Sequence, residues 1–221
     1  MPNHTSNVLE INGDKKQLAD FIAAVKTKES DFDFNGVVPM PNEIRDTDKG
    51  WSADETPAQK KAKDKKDKEL KAKYGASDWY DWSINNWGTK WNAYEIGEWD
   101  VQSNKKIAAI TYQTAWSPAT EFFLNASVKF PKLSFKHSFA DEGGGFLGWQ
   151  EIKNGEIIAS EDLDWYSKAG IQFRDREIGY YYSDEEYEIK GRLEYLEEHP
   201  EDGSPEEIAE LKETLDSMEK D

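Results

Sequence analysis

Four tryptophans, Trp79, Trp82, Trp87 and Trp91, fall within the stretch WYDWSINNWGTKWN and form the chain's densest group of chemically distinctive side chains. On a helix Trp79, Trp82 and Asn86 share a face, and Trp87-Gly88 reads as a helix end with glycine in the left-handed position. Two readings follow. In one the indoles are a core corner packing helix to sheet, their N–H groups satisfied by Asp78, Asp81 or backbone. In the other they wall a pocket for a base or ring, with Asn85, Asn86 and Lys90 as polar contacts. The two are compatible.

A second group is ADEGGGF, where Asp141 and Glu142 precede three glycines. Glycine-rich loops cradle phosphates when a strand leads into a helix, but here the next residues read as a strand and the acids repel an anion. A bulged hairpin turn is the simpler reading. Convergence of Asp141 and Glu142 with Asp81 or His4 would make a hard-cation site, and short of that no metal is expected. His4, His137 and His199 lack metalloprotease spacing, and no nucleophile-elbow, Walker or EF-hand pattern occurs. Asp162 and Asp164 beside Trp165-Tyr166 resemble a glycosidase pair, a pattern that chance supplies readily among 45 acids. The residues lean away from an enzyme, and no cofactor is implied.

The composition narrows the classes further. The 221 residues carry 28 Lys+Arg against 45 Asp+Glu, a net charge of −17, which opposes direct binding to a phosphate backbone. Zero cysteines exclude disulfides, zinc ribbons and iron–sulfur clusters. The 9 Trp, 10 Tyr and 10 Phe need a packed interior or a binding surface. Neither a membrane span nor a secretory leader is read in the sequence, so a cytoplasmic protein is expected.

These groups must be positioned by a fold. Val8–Asn12 reads as a strand, and Asp14 with Gln17 opens a helix on which Leu18, Phe21, Ile22 and Val25 recur at helical spacing. A second strand is expected at Phe32–Val38. Residues 45–76 then form an insertion whose Lys-rich helix, capped by Thr56-Pro57-Ala58-Gln59, lacks an apolar stripe. Ser77 caps a helix over 78–87. A strand over Trp91–Val101 turns at Ser103-Asn104-Lys105 and returns through Ile107–Thr114. Ser117-Pro118 restarts a helix with Phe122, Phe123, Ala126 and Phe130 inward. Strand Leu133–Ala140, the glycine turn, a strand from Phe146 and an Asn154-Gly155 hairpin complete the domain. The whole predicts an α+β, ferredoxin-like split β-α-β sandwich with extra hairpins over residues 1–182.

Residues 183–221 differ in kind. Capping boxes at Ser183/Glu186 and Ser204/Glu207 predict a helical hairpin, with Ile189, Leu193 and Leu196 facing Ile208, Leu211 and Leu215. Residues 184–221 hold sixteen acids against four bases, so most of the chain's net negative charge sits there. Glu197, Glu201 and Glu206 are therefore candidate partner contacts.

The segments MPNHTSN, DFNGVVPMPNEI, WYDWSINNWGTKWNAY, TAWSP and FADEGGGFLG resemble, over roughly residues 1–155, the phage- and plasmid-borne proteins that carry the YubB ferredoxin-like domain. Members of that family carry cysteine where this chain has Thr5 and Ser83, so a thiol role is not retained. The resemblance implies a mobile-element gene acting inside a bacterial cell and transfers no catalytic residue. The function expected is binding of a host bacterial protein, plausible as inhibition of a defence system, with homo-oligomer contacts left open. The alternative is a small nucleotide-like ligand held by Trp79, Trp82, Asn86, Trp87, Lys90, Trp91, Asp141 and Glu142.

Overall fold

The computed structural model describes residues 3–47, 56–179 and 185–218, excepting the side chains of 185–188, 198, 201 and 216–218. Strands β1 (His4–Gly13), β2 (Asp100–Val101), β3 (Ile107–Ala115), β4 (Leu133–Asp141), β5 (Leu147–Lys153) and β6 (Glu156–Asp162) form one sheet in the order β2-β3-β1-β4-β5-β6. Every neighbouring pair is antiparallel. The helices are α1 (Lys15–Val25), α2 (Asn42–Arg45), α3 (Pro57–Tyr74), α4 (Trp79–Trp87), α5 (Thr120–Lys129), α6 (Lys168–Phe173), α7 (Glu185–Glu198) and α8 (Pro205–Met218).

Alternation along β1 buries Thr5, Asn7, Leu9 and Ile11 and leaves Glu10 and Asn12 exposed, so one sheet face carries the core. Against that face α1 lays Leu18, Phe21 and Val25, and α5 lays Phe122, Phe123 and Ala126. The four strands β2-β3-β1-β4 with α1 and α5 make the split β-α-β sandwich, and β5-β6 extends it on the β4 side. Asn154 and Gly155 both have positive φ (52° and 81°), as the two-residue turn between β5 and β6 requires.

The expected strand at Phe32–Val38 is absent. Phe32 and Phe34 are both buried, but Asp33 caps a short 3-10 turn by accepting from the Asn35 N–H at 2.8 Å, and the Asn92 side chain accepts from the Phe34 N–H at 2.9 Å. Side chains therefore take the hydrogen bonds a ladder would have supplied. The strand that runs parallel to β1, separated from it by β3, is instead β2, so the connection from α1 runs over residues 26–99 and carries α2, α3 and α4.

The expected strand over Trp91–Val101 is reduced to its last two residues. Tyr94 and Gly97 still bond to Gln113 and Thr111 of β3, but Glu95 has φ 48° and the ladder is regular only from Asp100. Two helix starts shift as well: Asp78 rather than Ser77 caps α4, and α5 begins at Thr120 rather than at Ser117-Pro118. The Thr56–Gln59 capping box is present on α3, whose side chains are exposed apart from Leu70 and a few half-buried positions.

In the C-terminal hairpin Ile189, Leu196 and Leu211 are buried together, with Leu193, Ile208 and Leu215 packed beside them. Ile171 of α6 and Tyr166 share that cluster, which docks the hairpin on the domain. The Ser204 hydroxyl accepts from the Glu207 N–H at 3.1 Å, while the Ser183/Glu186 box lies outside the described residues. No described helix is long and apolar enough to cross a membrane.

Candidate functional site

The tryptophan block divides in two. Trp82 and Trp87 are buried, their rings edge to face at 5.3 Å, and the Trp87 Nε1–H donates to the Val38 carbonyl at 2.9 Å. Trp87 also meets Phe34 edge to face. Both are core residues, as the core-corner reading expects. The Asn86 side chain donates back to the Trp82 carbonyl at 2.9 Å within α4.

Trp79, at the start of α4, is half-buried and packs against the core, whereas Trp91 lies beyond a sharp turn that follows Trp87 and is exposed. Gly88 ends α4 with φ 83°, and a Cβ there would crowd the Thr120 and Glu121 nitrogens at 3.0–3.1 Å. Thr89 is buried and donates to the Ala115 carbonyl, and Ser117 donates to the Gly88 carbonyl at 2.7 Å. These bonds tie the end of α4 to the end of β3, bringing Lys90, Trp91 and Trp116 together. The Lys90 ammonium lies 4.0 Å from the Trp116 ring centroid and 4.8 Å from that of Trp91. Trp91 is 39% exposed and Trp116 44% exposed. Tyr80 meets Trp116 edge-on at 6.3 Å.

Trp116 has φ 74°, a left-handed conformation that costs a bulky residue on the order of 1–3 kcal/mol. Its N–H donates to the Asn3 carbonyl, which holds the strained backbone in place. Beside this pair opens a groove of about 430 Å³ lined by Met40, Arg45, Trp79, Lys90 and Trp91, among others. Among the described residues no carboxylate pairs with Arg45 or Lys90. In a chain of net charge −17 a groove lined by two such cations, of which Lys90 lies against two indoles, is a local inversion of sign. Arg45, Tyr80 and Trp116 were not singled out by the sequence; TAWSP marks a helix start but says nothing of backbone strain.

The structure does not bring Asp141 and Glu142 to this groove. Asp141 is buried and its Oδ2 accepts from the Gly145 N–H at 3.0 Å, holding the glycine turn between β4 and β5. Glu142 Oε1 accepts from the His4 N–H at 2.8 Å, while the Glu142 N–H donates to the His4 carbonyl. Both acids thus secure the turn against β1. Asp81 sits in the first turn of α4, and no group of three His, Asp or Glu able to hold a metal occurs among the described residues. Asp164, of the acid pair near Trp165, caps the turn at Tyr166 and Ser167.

Near His4 the bonding is directional. Tyr94 Oη donates to the Thr114 carbonyl at 3.0 Å, so His4 Nδ1, 2.7 Å away, donates to that oxygen. Burial, reinforced by the charges of Glu95 and Glu142, pushes the Tyr94 phenol up to about 12, so it holds its proton at neutral pH. Thr5 and Ser83, the two positions the sequence singled out for a thiol in its relatives, are both fully buried. A thiol there would be a small core group rather than an accessible nucleophile.

Glu197 and Glu206 are exposed on the C-terminal hairpin, and the Glu201 side chain lies outside the described residues. A second hollow of about 430 Å³ separates the glycine turn from this hairpin, and Glu142 lines it with Trp165, Tyr166, Arg192 and Tyr195. Arg192 is spoken for: it pairs with Glu207 through Nε and Nη2 at 2.9–3.0 Å.

Strand order, helix placement and the core define an α+β protein containing a ferredoxin-like domain. Residues 86–176, from the end of α4 to the segment after α6, match the family model described as the ferredoxin-like domain in Api92-like protein. Among solved structures the chain is similar to the protein Api92 from Yersinia pseudotuberculosis, with a TM-score of 0.41 at 9% identity over 74% of this chain and 98% of that one. No curated protein matches the chain.

Proposed function

We propose that this protein is a non-enzymatic binding protein that acts for a phage or plasmid, as the likeness to YubB-domain proteins suggests, and engages a host protein in the bacterial cytoplasm, such as a defence factor. The observation that carries this reading is Lys90 held between two exposed indoles, one of them on strained backbone. Exposed Trp beside a cation is the composition of an interface hot spot, and strain kept at a surface residue marks a contact worth its cost. The acidic hairpin, with Glu197 and Glu206 outward, would steer a basic partner toward the chain.

The test is capture of the partner from a bacterial lysate by the full chain, followed by binding measurements on purified pairs. Trp91→Ala with Trp116→Ala is expected to lose at least about tenfold in affinity while unfolding stability falls by much less than for a core tryptophan, because both side chains are exposed by 39–44% and neither belongs to the core cluster. Reversing Glu197 and Glu206 to Lys is expected to slow association with little change in dissociation. Undiminished affinity in the double tryptophan variant overturns the assignment.

The cations of the groove support a second reading, in which it holds a nucleotide-like anion with a planar ring. A thermal-shift screen against nucleotides, with and without Mg²⁺, should then show about 2.7 kcal/mol of stabilisation at a hundred times the Kd. A flat response across the panel removes that reading.

A further inference from the structure

The sheet has one long open edge. At the β2 end the edge strand is two residues long, and the segment around Tyr94–Gly97 lies along β3. At the other end β6 spans seven residues, and its outer side has no backbone partner among the described residues. Such an edge is a template for another strand unless charge, bulges or covering elements block it.

Two of these devices are present on β6, and they act selectively. The register with β5 shifts between Glu151 and Ile152, which leaves Ile158 as the extra residue of a bulge. The bulge does not hide the aliphatic side chains: Ile157 is 46% exposed and Ile158 53% exposed. Val128, 62% exposed at the end of α5, adjoins the β5-β6 turn, where Ser127 Oγ accepts from the Gly155 N–H. Glu156 stands at one end of β6 and Glu161 and Asp162 at the other. If two copies paired antiparallel about Ala159, Glu156 would face Asp162 at each end, a like-charge arrangement that opposes self-association. The same carboxylates attract a strand with basic ends.

We infer that the outer edge of β6, with Ile157, Ile158 and Val128, is a docking site for an extended partner segment of aliphatic residues flanked by Lys or Arg. Backbone pairing along Ala159–Asp162 supplies the affinity common to any strand, and the apolar step and acidic ends supply the selection. The site is built from elements other than those of the tryptophan groove and stands whether or not that groove binds a partner.

The test uses the full chain and two labelled peptides, Lys-Val-Ile-Val-Thr-Lys and Glu-Val-Ile-Val-Thr-Glu. The lysine-flanked peptide is expected to bind about tenfold tighter than the glutamate-flanked one. Amide shifts should map to 156–162. Glu156→Lys with Asp162→Lys should reverse the preference, and Ile158→Ser, at a solvent-exposed position, should weaken both peptides while Trp91→Ala leaves both unchanged. Equal affinity for the two peptides, shifts that map elsewhere, or a concentration-dependent dimer abolished by Ile158→Ser each overturn the proposal, the last by making a second copy the occupant.

Discussion

Replacing Trp87 with alanine is expected to remove about 3–5 kcal/mol of stability, the range for a buried large aromatic. The indole is buried against Trp82 and Phe34, and its loss leaves the Val38 carbonyl without the Nε1–H donor. An unsatisfied buried carbonyl adds about 1–3 kcal/mol to the cost of the cavity, within the same total. Single domains are stable by roughly 5–15 kcal/mol, so this substitution takes a large share, and the thermal midpoint should fall by about 10 °C or more. Trp91→Ala, a few residues further on, should shift it by no more than a few degrees. Urea denaturation of the two variants side by side checks the division of the block into core and surface, and equal effects would refute it.

Acidification between pH 7 and pH 5 is expected to cost about 2 kcal/mol through one residue, His137. The imidazole lies fully buried between β1, β3 and α5, and burial pushes its pKa down to about 3. Its surroundings suit the neutral ring. Gln150 donates toward Nδ1 at 3.2 Å and to Thr120 Oγ1 at 2.7 Å, so Nε2 carries the proton and faces Asn7 Oδ1 at 2.9 Å and Tyr112 Oη at 3.0 Å. Asn7 is held in that orientation by donating to the Thr5 carbonyl and Thr114 Oγ1. A second ring proton would point Nδ1–H at an amide donor. Because the folded pKa lies below the unfolded value of about 6.5, the unfolded chain takes up a proton the folded chain refuses. Stability is therefore complete above about pH 6.5 and falls toward pH 3. The difference in slope between the parent and a His137 variant isolates the histidine. His137→Gln should be less stable at pH 7 yet show a flatter slope, and identical slopes for variant and parent would sink the assignment.

Much of this architecture was legible because its signals are local. Asp14 with Gln17, Thr56 with Gln59 and Asn154-Gly155 each act through bonds a few residues apart, and each does what its spacing implies. Phe32–Val38 misled because its alternation is genuine, Phe32 and Phe34 both being buried, while the group that ends any strand there is Asn92, 58 residues away from Phe34 in sequence. Trp91–Val101 was placed beside β3 correctly, but nothing in its residue types announces a positive φ at Glu95. The candidate site divided for a related reason. Indoles of one sequence block look alike until the turn at Gly88 sends Trp87 inward and Trp91 outward. Asp141 and Glu142 drew attention as ligands, yet their oxygens are occupied by the N–H groups of Gly145 and His4.

The central strand β1 has consequences for how the chain reaches this fold. Its two neighbours are β3 and β4, with His4 opposite Ala115 and Thr5 opposite Asp141, and the His137–Asn7 bond in its core spans 130 residues of sequence. During synthesis β1 and α1 therefore emerge long before anything they can pair with. Until β3 has left the ribosome the strand that becomes the middle of the sheet is open on both sides, and until β4 follows it is still open on one. Loop closure on this scale is slow, and exposed strands of intermediates are prone to aggregate. Translation rate and chaperone supply, rather than equilibrium stability, should thus set how much of this protein a cell accumulates.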